Sequence, residues 1–327
     1  MKRKRILAFA VAASLLLGGC SRPDDKDNQT YTDTLFDTVI SVQILDPVDK
    51  SVIEGCEKLC KEYDTKFSTD NEESEIYKIN HAKKKAVEVS DDTITIIKKG
   101  IYYSELSKGA FDITIGSVSN LWDFHAEKPK VPSSKKIKRA RSHVNYRNIV
   151  IRDNTVRLTD SRTRLDVGAI AKGYIADRLK DYLKKEGVNH AIINLGGNVQ
   201  TIGTKTDGSD YNIGIQKPFD ESGQPITSVK VADKSVVTTG TYQRYFEKNG
   251  KLYHHILDPS TGYPCENNLS SVTIITKSSL TADALSTTCF LLGYEEGMKI
   301  VNQLDNVDAV FITDDNEIHY SDNFMKK

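Results

Sequence analysis

Apolar positions along this chain recur at two periods. Val52, Ile53, Cys56, Leu59, Cys60 and Tyr63 fall at helical spacing, which predicts an amphipathic helix over 48–67, entered from a strand at 38–45. A second helix is predicted over 92–108, stopped by Gly109, although its β-branched residues weigh against it. Ile170, Tyr174, Ile175, Leu179, Tyr182 and Leu183 mark a third that ends at Gly187, and a fourth runs over 279–292. Between them lie a hairpin at 149–158 around Asp153-Asn154, a short buried strand at 191–195 followed by a Gly196-Gly197-Asn198 turn, and strands at 211–216, 229–231, 251–256 and 271–276. Helices and strands interleave without an internal repeat, so the expected class is α+β, with mixed or antiparallel sheets and packed helices in one body.

The first twenty residues do not belong to that body. Met1 to Arg5 is basic and Ile6 to Leu17 is apolar over the length of a signal-peptide core, too short to span a bilayer comfortably. Leu17-Gly18-Gly19-Cys20 resembles a bacterial lipobox, with Cys20 as the lipidated residue; an uncleaved signal anchor is the alternative. Ser21 to Thr32 is polar, with several Asp and one Pro, and suits a tether. The expected divisions are a lipoprotein signal peptide over 1–19, a lipidated flexible tether over 20–32 and a single domain over 33–327. The expected location is the extracytoplasmic face of the cell membrane, held there by lipid.

Lys+Arg and Asp+Glu both number 45, so nothing in the global charge favours a nucleic-acid partner. The basic stretch 123–148 has no interleaved aromatic residues for base stacking and reads as a solvated linker and helix. Cys56 and Cys60 share a predicted helix face with apolar residues. They read first as small buried hydrophobes and second as a redox or metal pair.

Several familiar sites are absent: there is no G-x-x-x-x-G-K, no G-x-G-x-x-G after a strand, no H-E-x-x-H and no G-x-S-x-G. Three local patterns remain. Asp283, Ser286 and Thr287 share one helix face at i, i+3 and i+4; one carboxylate and two hydroxyls suit Mg²⁺, or else cap and solvate a helix start. His254-His255 precedes an Asp258-Pro259 turn, giving either a positioned base or ordinary polar surface. Asp166 to Gly173 is a glycine-containing helix entry with Lys172 one turn in, suited either to an anion or to close helix packing.

Taken together and in order, these segments resemble the ApbE family of flavin transferases, from about Leu35 to about Gly293. The landmarks are Phe36-Asp37-Thr38, Phe67-Ser68 through Ser74 to Asn80, Gly109 to Thr114, Asp166 through Lys172-Gly173, Asn194 to Asn198, His255 to Pro259 with Thr261-Gly262, and Ala282-Asp283. The resemblance implies Mg²⁺-dependent transfer of FMN from FAD to a Ser/Thr hydroxyl of a separate exported protein, with release of AMP. Two alternatives remain: FAD cleavage to FMN and AMP with water as acceptor, and a non-catalytic FAD-binding lipoprotein. Residue by residue, it implies Asp283 and Thr287 as Mg²⁺ ligands, with Ser286 and the Ala169 carbonyl completing the site. It implies FAD contacts at Phe36, Ala110, Phe111, Asp112, Asp166, Lys172 and Ile256, and His255 as the base that deprotonates the acceptor.

Two departures stand out, since many relatives carry Met-Gly at Phe36-Asp37 and a tyrosine near Asp70. Family acceptors carry D-G-x-[S/T]-G-A-[S/T]. The nearest segment here, Asp207-Gly208-Ser209-Asp210, puts Asp210 at the acceptor position, so self-modification is not expected.

Overall fold

The computed structural model describes residues 29–124, 126–220, 222–322 and 324. The proposed signal peptide, Cys20 and most of the tether lie outside the described residues. Among the described residues no helix is long and apolar enough to cross a membrane.

The centre is an eight-stranded sheet in which every neighbouring pair is antiparallel. In spatial order it contains β1 (Gln29–Leu35), β2 (Thr38–Ile44), β6 (Ala191–Leu195), β7 (Asn198–Ile202), β10 (Ser235–Gly240), β13 (Leu269–Thr276), β14 (Asp308–Thr313) and β15 (Ile318–Tyr320). Three small sheets flank it: β3 (Val87–Glu88) and β4 (Ile149–Arg152) on either side of β5 (Thr155–Leu158), the hairpin β8 (Tyr211–Gln216) with β9 (Pro225–Val231), and the hairpin β11 (Tyr245–Lys248) with β12 (Lys251–His254). The helices are α1 (Lys50–Phe67), α2 (Glu75–His81), α3 (Asp91–Leu106), α4 (Gly116–Ser119), α5 (Ser134–Arg141), α6 (Gly168–Lys185), α7 (Ser279–Leu292) and α8 (Tyr294–Asn302).

Strand alternation decides which layer each side chain joins. Val237, Ile274 and Phe311 point into the main core with the helices, while their neighbours Val236, Ile275, Val310 and Ile312 pack with Tyr211, Ile215, Val229 and Val231 of the β8–β9 hairpin. Both faces of the central strands are therefore covered, and all of β13 is buried. A third, small core joins Val118, Trp122, Ile137 and Leu257 beside the β11–β12 hairpin.

The expected α+β class is observed, and its sheets are antiparallel. The predicted tether loses its last residues, because Gln29 to Thr32 pair with Ile44 to Ser41 as the first half of β1. Of β1 only Tyr31 is buried, so an edge strand with one apolar anchor reads in sequence as polar linker. Asn198 opens β7 rather than closing the preceding turn, β9 starts at Pro225, and β12 ends at His254. The basic stretch holds α5, a solvated helix attached by Ile137. Cys56 and Cys60 are buried free thiols, with burial pushing both up to about 12.

Candidate active site

Helices α6 and α7 meet where their functional residues lie. A Cβ on Gly173 would stand 2.3 Å from Ser279 O and 2.7 Å from Asp283 Cβ, so only glycine permits this approach. Asp177 on α6 locks the pair by accepting from Ser279 N (2.8 Å), Leu280 N (3.1 Å) and Ser278 Oγ (2.8 Å) at the start of α7. This cap on a neighbouring helix fixes the rotation of α7 and hence the direction of Asp283.

Asp283 is buried, which overturns the reading of a solvated helix start. Its Oδ2 accepts from Gly173 N at 2.8 Å. Burial raises its pKa above the ordinary carboxylate value, opposed by the charge of Lys172, the Gly173 N–H and the Asn198 amide. Asn198 Oδ1 accepts from Ser279 Oγ (2.6 Å), while its Nδ2 completes no hydrogen bond of ordinary geometry and is spare toward Asp283. Ser286 is fully buried behind Thr287, which is half-buried. Thr239 of β10 touches both hydroxyls, at 2.8 Å from Ser286 Oγ and 3.0 Å from Thr287 Oγ1.

This set fits Mg²⁺. Asp283 offers one carboxylate and Ser286 and Thr287 offer neutral hydroxyl oxygens on the same helix face, hard donors of the kind Mg²⁺ takes rather than the nitrogen and sulfur donors typical of zinc. In a regular helix Gly173 N–H would go to Ala169 O, four residues back. That N–H also reaches Asp283 Oδ2, and the Ala169 carbonyl, with two lone pairs, can accept a further partner.

The two histidines separate cleanly. His254 is buried, with Nε2–H donating to Cys265 O (3.0 Å) and Nδ1 accepting from Ile256 N (3.3 Å), so it is a satisfied core residue. His255 is partly exposed, and Arg244 O accepts from its backbone N (3.0 Å) and from its Nδ1 (3.3 Å). A carbonyl can only accept, so the Nδ1–H tautomer is set and Nε2 keeps its lone pair. Loss of water first, then the charges of Arg244, His254 and Lys172, push the imidazole down to about 3. Lys172 acts electrostatically on both Asp283 and His255, and the α6–α7 contact itself is fixed by Gly173 N and Asp283 Oδ2.

The FAD-contact candidates are held in different ways. Asp166 Oδ1 caps α6 through Gly168 N (3.0 Å) and its Oδ2 accepts from Ser119 Oγ (2.8 Å). The neighbouring Leu165 is pinned on both main-chain groups by Asn80 (2.7 and 2.9 Å). Asp112 is filled from within, by Thr114 N and Oγ1 (2.8 and 2.6 Å) and by Tyr146 N (2.9 Å), and Phe111 is buried in the main core. These two side chains shape the loop that presents Ala110. Ile256 is buried beside His255, and its carbonyl accepts from Cys265 N.

Phe36 and Asp37 both have positive φ (55° and 56°), forming the two-residue turn of the β1–β2 hairpin. Arg244 donates to the carbonyl oxygens of Phe36 (3.5 Å) and Asp37 (3.2 Å), tying that turn to the residue that orients His255.

Sequence reasoning missed Thr239, Arg244, Asn198 and Asp177. Thr239 carried a signal, since Val236-Val237-Thr238-Thr239-Gly240 is a β-branched run stopped by glycine. Asn198 lay within the Asn194–Asn198 landmark with no role assigned to it, and the side chains of Asp177 and Arg244 bond to partners remote in sequence and leave no local pattern.

The model of the ApbE family matches residues 36–311. The chain is 40% identical over 274 residues to a FAD:protein FMN transferase of Klebsiella pneumoniae, covering 83% of this chain and 84% of that protein. It is 31% identical to the FAD:protein FMN transferase of Vibrio cholerae, over 97% of both chains. Among solved structures, the ApbE protein of Thermotoga maritima superposes with a TM-score of 0.84 at 32% identity, over 91% of this chain and 98% of that one. The flavin transferase ApbE of Vibrio cholerae does so with a TM-score of 0.82 at 27% identity, over 92% and 99%. With the family model matching residues 36–311 and relatives up to 40% identical over most of both chains, this chain belongs to the ApbE family.

Proposed function

We propose that this protein is a Mg²⁺-dependent FAD:protein FMN transferase, lipid-anchored through Cys20 at the outer face of the cell membrane, acting on a Ser/Thr hydroxyl of an exported acceptor that carries D-G-x-[S/T]-G-A-[S/T]. The observation that carries the reading is Asp283 buried where α7 meets Gly173 of α6, with Ser286 and Thr287 on its helix face, together with a His255 whose tautomer Arg244 O sets; Lys172 acts electrostatically on both Asp283 and His255. A pure flavin binder has no use for an oriented base beside a hard-oxygen donor set.

Asp283, Thr287 and the Ala169 carbonyl would hold Mg²⁺, with Ser286 supporting them from behind. When bound, Mg²⁺ neutralises charge on the diphosphate of FAD and keeps it in line for displacement. Lys172 adds a second positive charge there. Arg244 O holds the His255 ring so that Nε2 faces outward to take the acceptor's proton. The acceptor oxygen forms a bond to the FMN phosphorus as the bond from that phosphorus to the AMP phosphate oxygen breaks. AMP leaves with the electron pair, and the products are a phosphoester-linked flavin and AMP. A base held near 3 is weak, but the anionic diphosphate opposes the charges of Arg244 and Lys172 and raises it on binding.

The test is AMP release from FAD, measured with and without acceptor protein. Release that depends on acceptor supports the transferase; equal release in both points to hydrolysis, and none in either to a binder.

A further inference from the structure

We infer that Thr239 is a positioning residue which turns the Thr287 hydroxyl so that only its lone pairs face the cation site; this rests on the metal reading proposed above.

Each hydroxyl has one proton to donate and two lone pairs with which to accept. Ser286 Oγ lies 2.9 Å from Asp283 O, and a carbonyl oxygen cannot donate, so the Ser286 proton is committed there. In the 2.8 Å contact between Thr239 Oγ1 and Ser286 Oγ, Thr239 must then be the donor. Its single proton is now spent. In the 3.0 Å contact between Thr239 Oγ1 and Thr287 Oγ1, the donor must therefore be Thr287. The chain of donation runs from Thr287 through Thr239 and Ser286 to the main chain of Asp283.

The direction matters because a hydroxyl that ligates a cation must turn its proton away. Thr287 is the most exposed member, Thr239 and Ser286 are buried, and the relay draws the Thr287 proton inward. Both ends of the relay lie on α7, one at the carbonyl of the residue whose carboxylate belongs to the same site. Thr239 sits in β10, between β7 and β13 in the large sheet, and is itself paired with Val272 of β13. The sheet thereby sets the orientation of a ligand carried by the helix. Without Thr239 the Thr287 hydroxyl is free to rotate, and part of its population points its proton at the cation.

The experiment is calorimetric titration of Mg²⁺ into the purified full-length protein saturated with ADP, a diphosphate with no flavin to transfer. Thermal midpoints without Mg²⁺ serve as the fold control. Thr239→Val keeps the shape but removes the relay, and Mg²⁺ affinity should fall about 10-fold or more, as for loss of other partners that orient a metal ligand. Thr239→Ser keeps the donor and both lone pairs and should stay within about twofold of the unsubstituted protein. In a Thr287→Val background, Thr239→Val should cause no further loss. If Thr239→Val does not fold, Thr239→Ala replaces it with the same expected loss.

A folded Thr239→Val protein that binds Mg²⁺ normally overturns the inference. So does a Thr239→Ser protein as weak as Thr239→Val, because the methyl group would then be what matters. If the unsubstituted protein binds no Mg²⁺, the metal reading itself falls and the relay falls with it.

Discussion

Gly173→Ala puts one methyl group where α6 and α7 touch. The added carbon would start 2.3 Å from Ser279 O, and ordinary contact begins at 3.4 Å, so the helices must part by about 1 Å. The obstacles are a main-chain carbonyl and the Cβ of Asp283, neither of which can swing away as a flexible side chain would. Overpacking of this kind costs about 1–3 kcal/mol. Alanine's better helix propensity returns up to about 1 kcal/mol. The net loss of up to about 2 kcal/mol should lower the thermal midpoint by several degrees, at about 2–4 °C per kcal/mol for a domain of this size.

The larger effect is on activity. Because α7 carries Asp283 and Thr287 while α6 carries Ala169 and Lys172, the same displacement spreads the site, and a misplacement of about 1 Å can cost on the order of 100-fold in rate. The assay is FMN transfer to acceptor under saturating FAD, with circular dichroism melting in parallel. A Gly173→Ala protein with normal melting and normal transfer would refute the packing argument. Loss of transfer that merely tracks unfolded protein would refute the geometric one.

Asp283→Asn should raise the melting temperature measured without metal and abolish the rise that Mg²⁺ produces. Its burial raises the folded pKa, so the ionised form is the one the fold disfavours as pH climbs through that shifted value, and the amide removes this cost. His255→Ala should lower transfer by about 10²–10⁴-fold while FAD still binds, as read by flavin fluorescence. Since the free imidazole is pushed down to about 3, kcat/KM of the unsubstituted protein should show no histidine limb between about pH 5 and 8; a limb near 6.5 would contradict the placement of Arg244 and Lys172 around it. His254 and His255 are both depressed, so the unfolded chain takes up protons near its ordinary 6.5 before the folded chain does. Their contribution to stability is complete above that pH and lost as pH falls toward 3, which acid melts of His255→Gln should show as a shallower decline. Cys56, Cys60 and Cys265, each pushed up to about 12 by burial, and Cys289, pushed still higher, should resist alkylation at neutral pH until the protein is unfolded, as peptide mass mapping would read.

The elements most legible in the sequence were those with a clear period and marked ends. Helix α7, strand β6 and strand β8 fall on their predicted limits, and α1 and α6 lie within two residues of theirs. What escaped was short or two-sided. Helix α2 has seven residues, too few to establish a period, and β14 is an apolar run buried on both faces with no alternation to detect. The same distinction governs the site. Asp283, Ser286 and Thr287 share a helix face and announce themselves by spacing, whereas the side chains of Asp177, Asn198 and Arg244 bond to partners 81 to 208 positions away, which only the fold assembles. His254 and His255 look alike in sequence. Only the carbonyls of Cys265 and Arg244 distinguish a core histidine from an available base.

The most direct test of the whole account is intact-mass analysis of a peptide bearing Asp-Gly-Ala-Thr-Gly-Ala-Thr, incubated with the protein, FAD and Mg²⁺ and, in parallel, with a chelator. The account predicts one FMN phosphoester on the peptide, AMP in the supernatant, and neither with chelator present. An unmodified peptide and an unmodified full acceptor domain, beside intact FAD and abundant Mg²⁺, would contradict it.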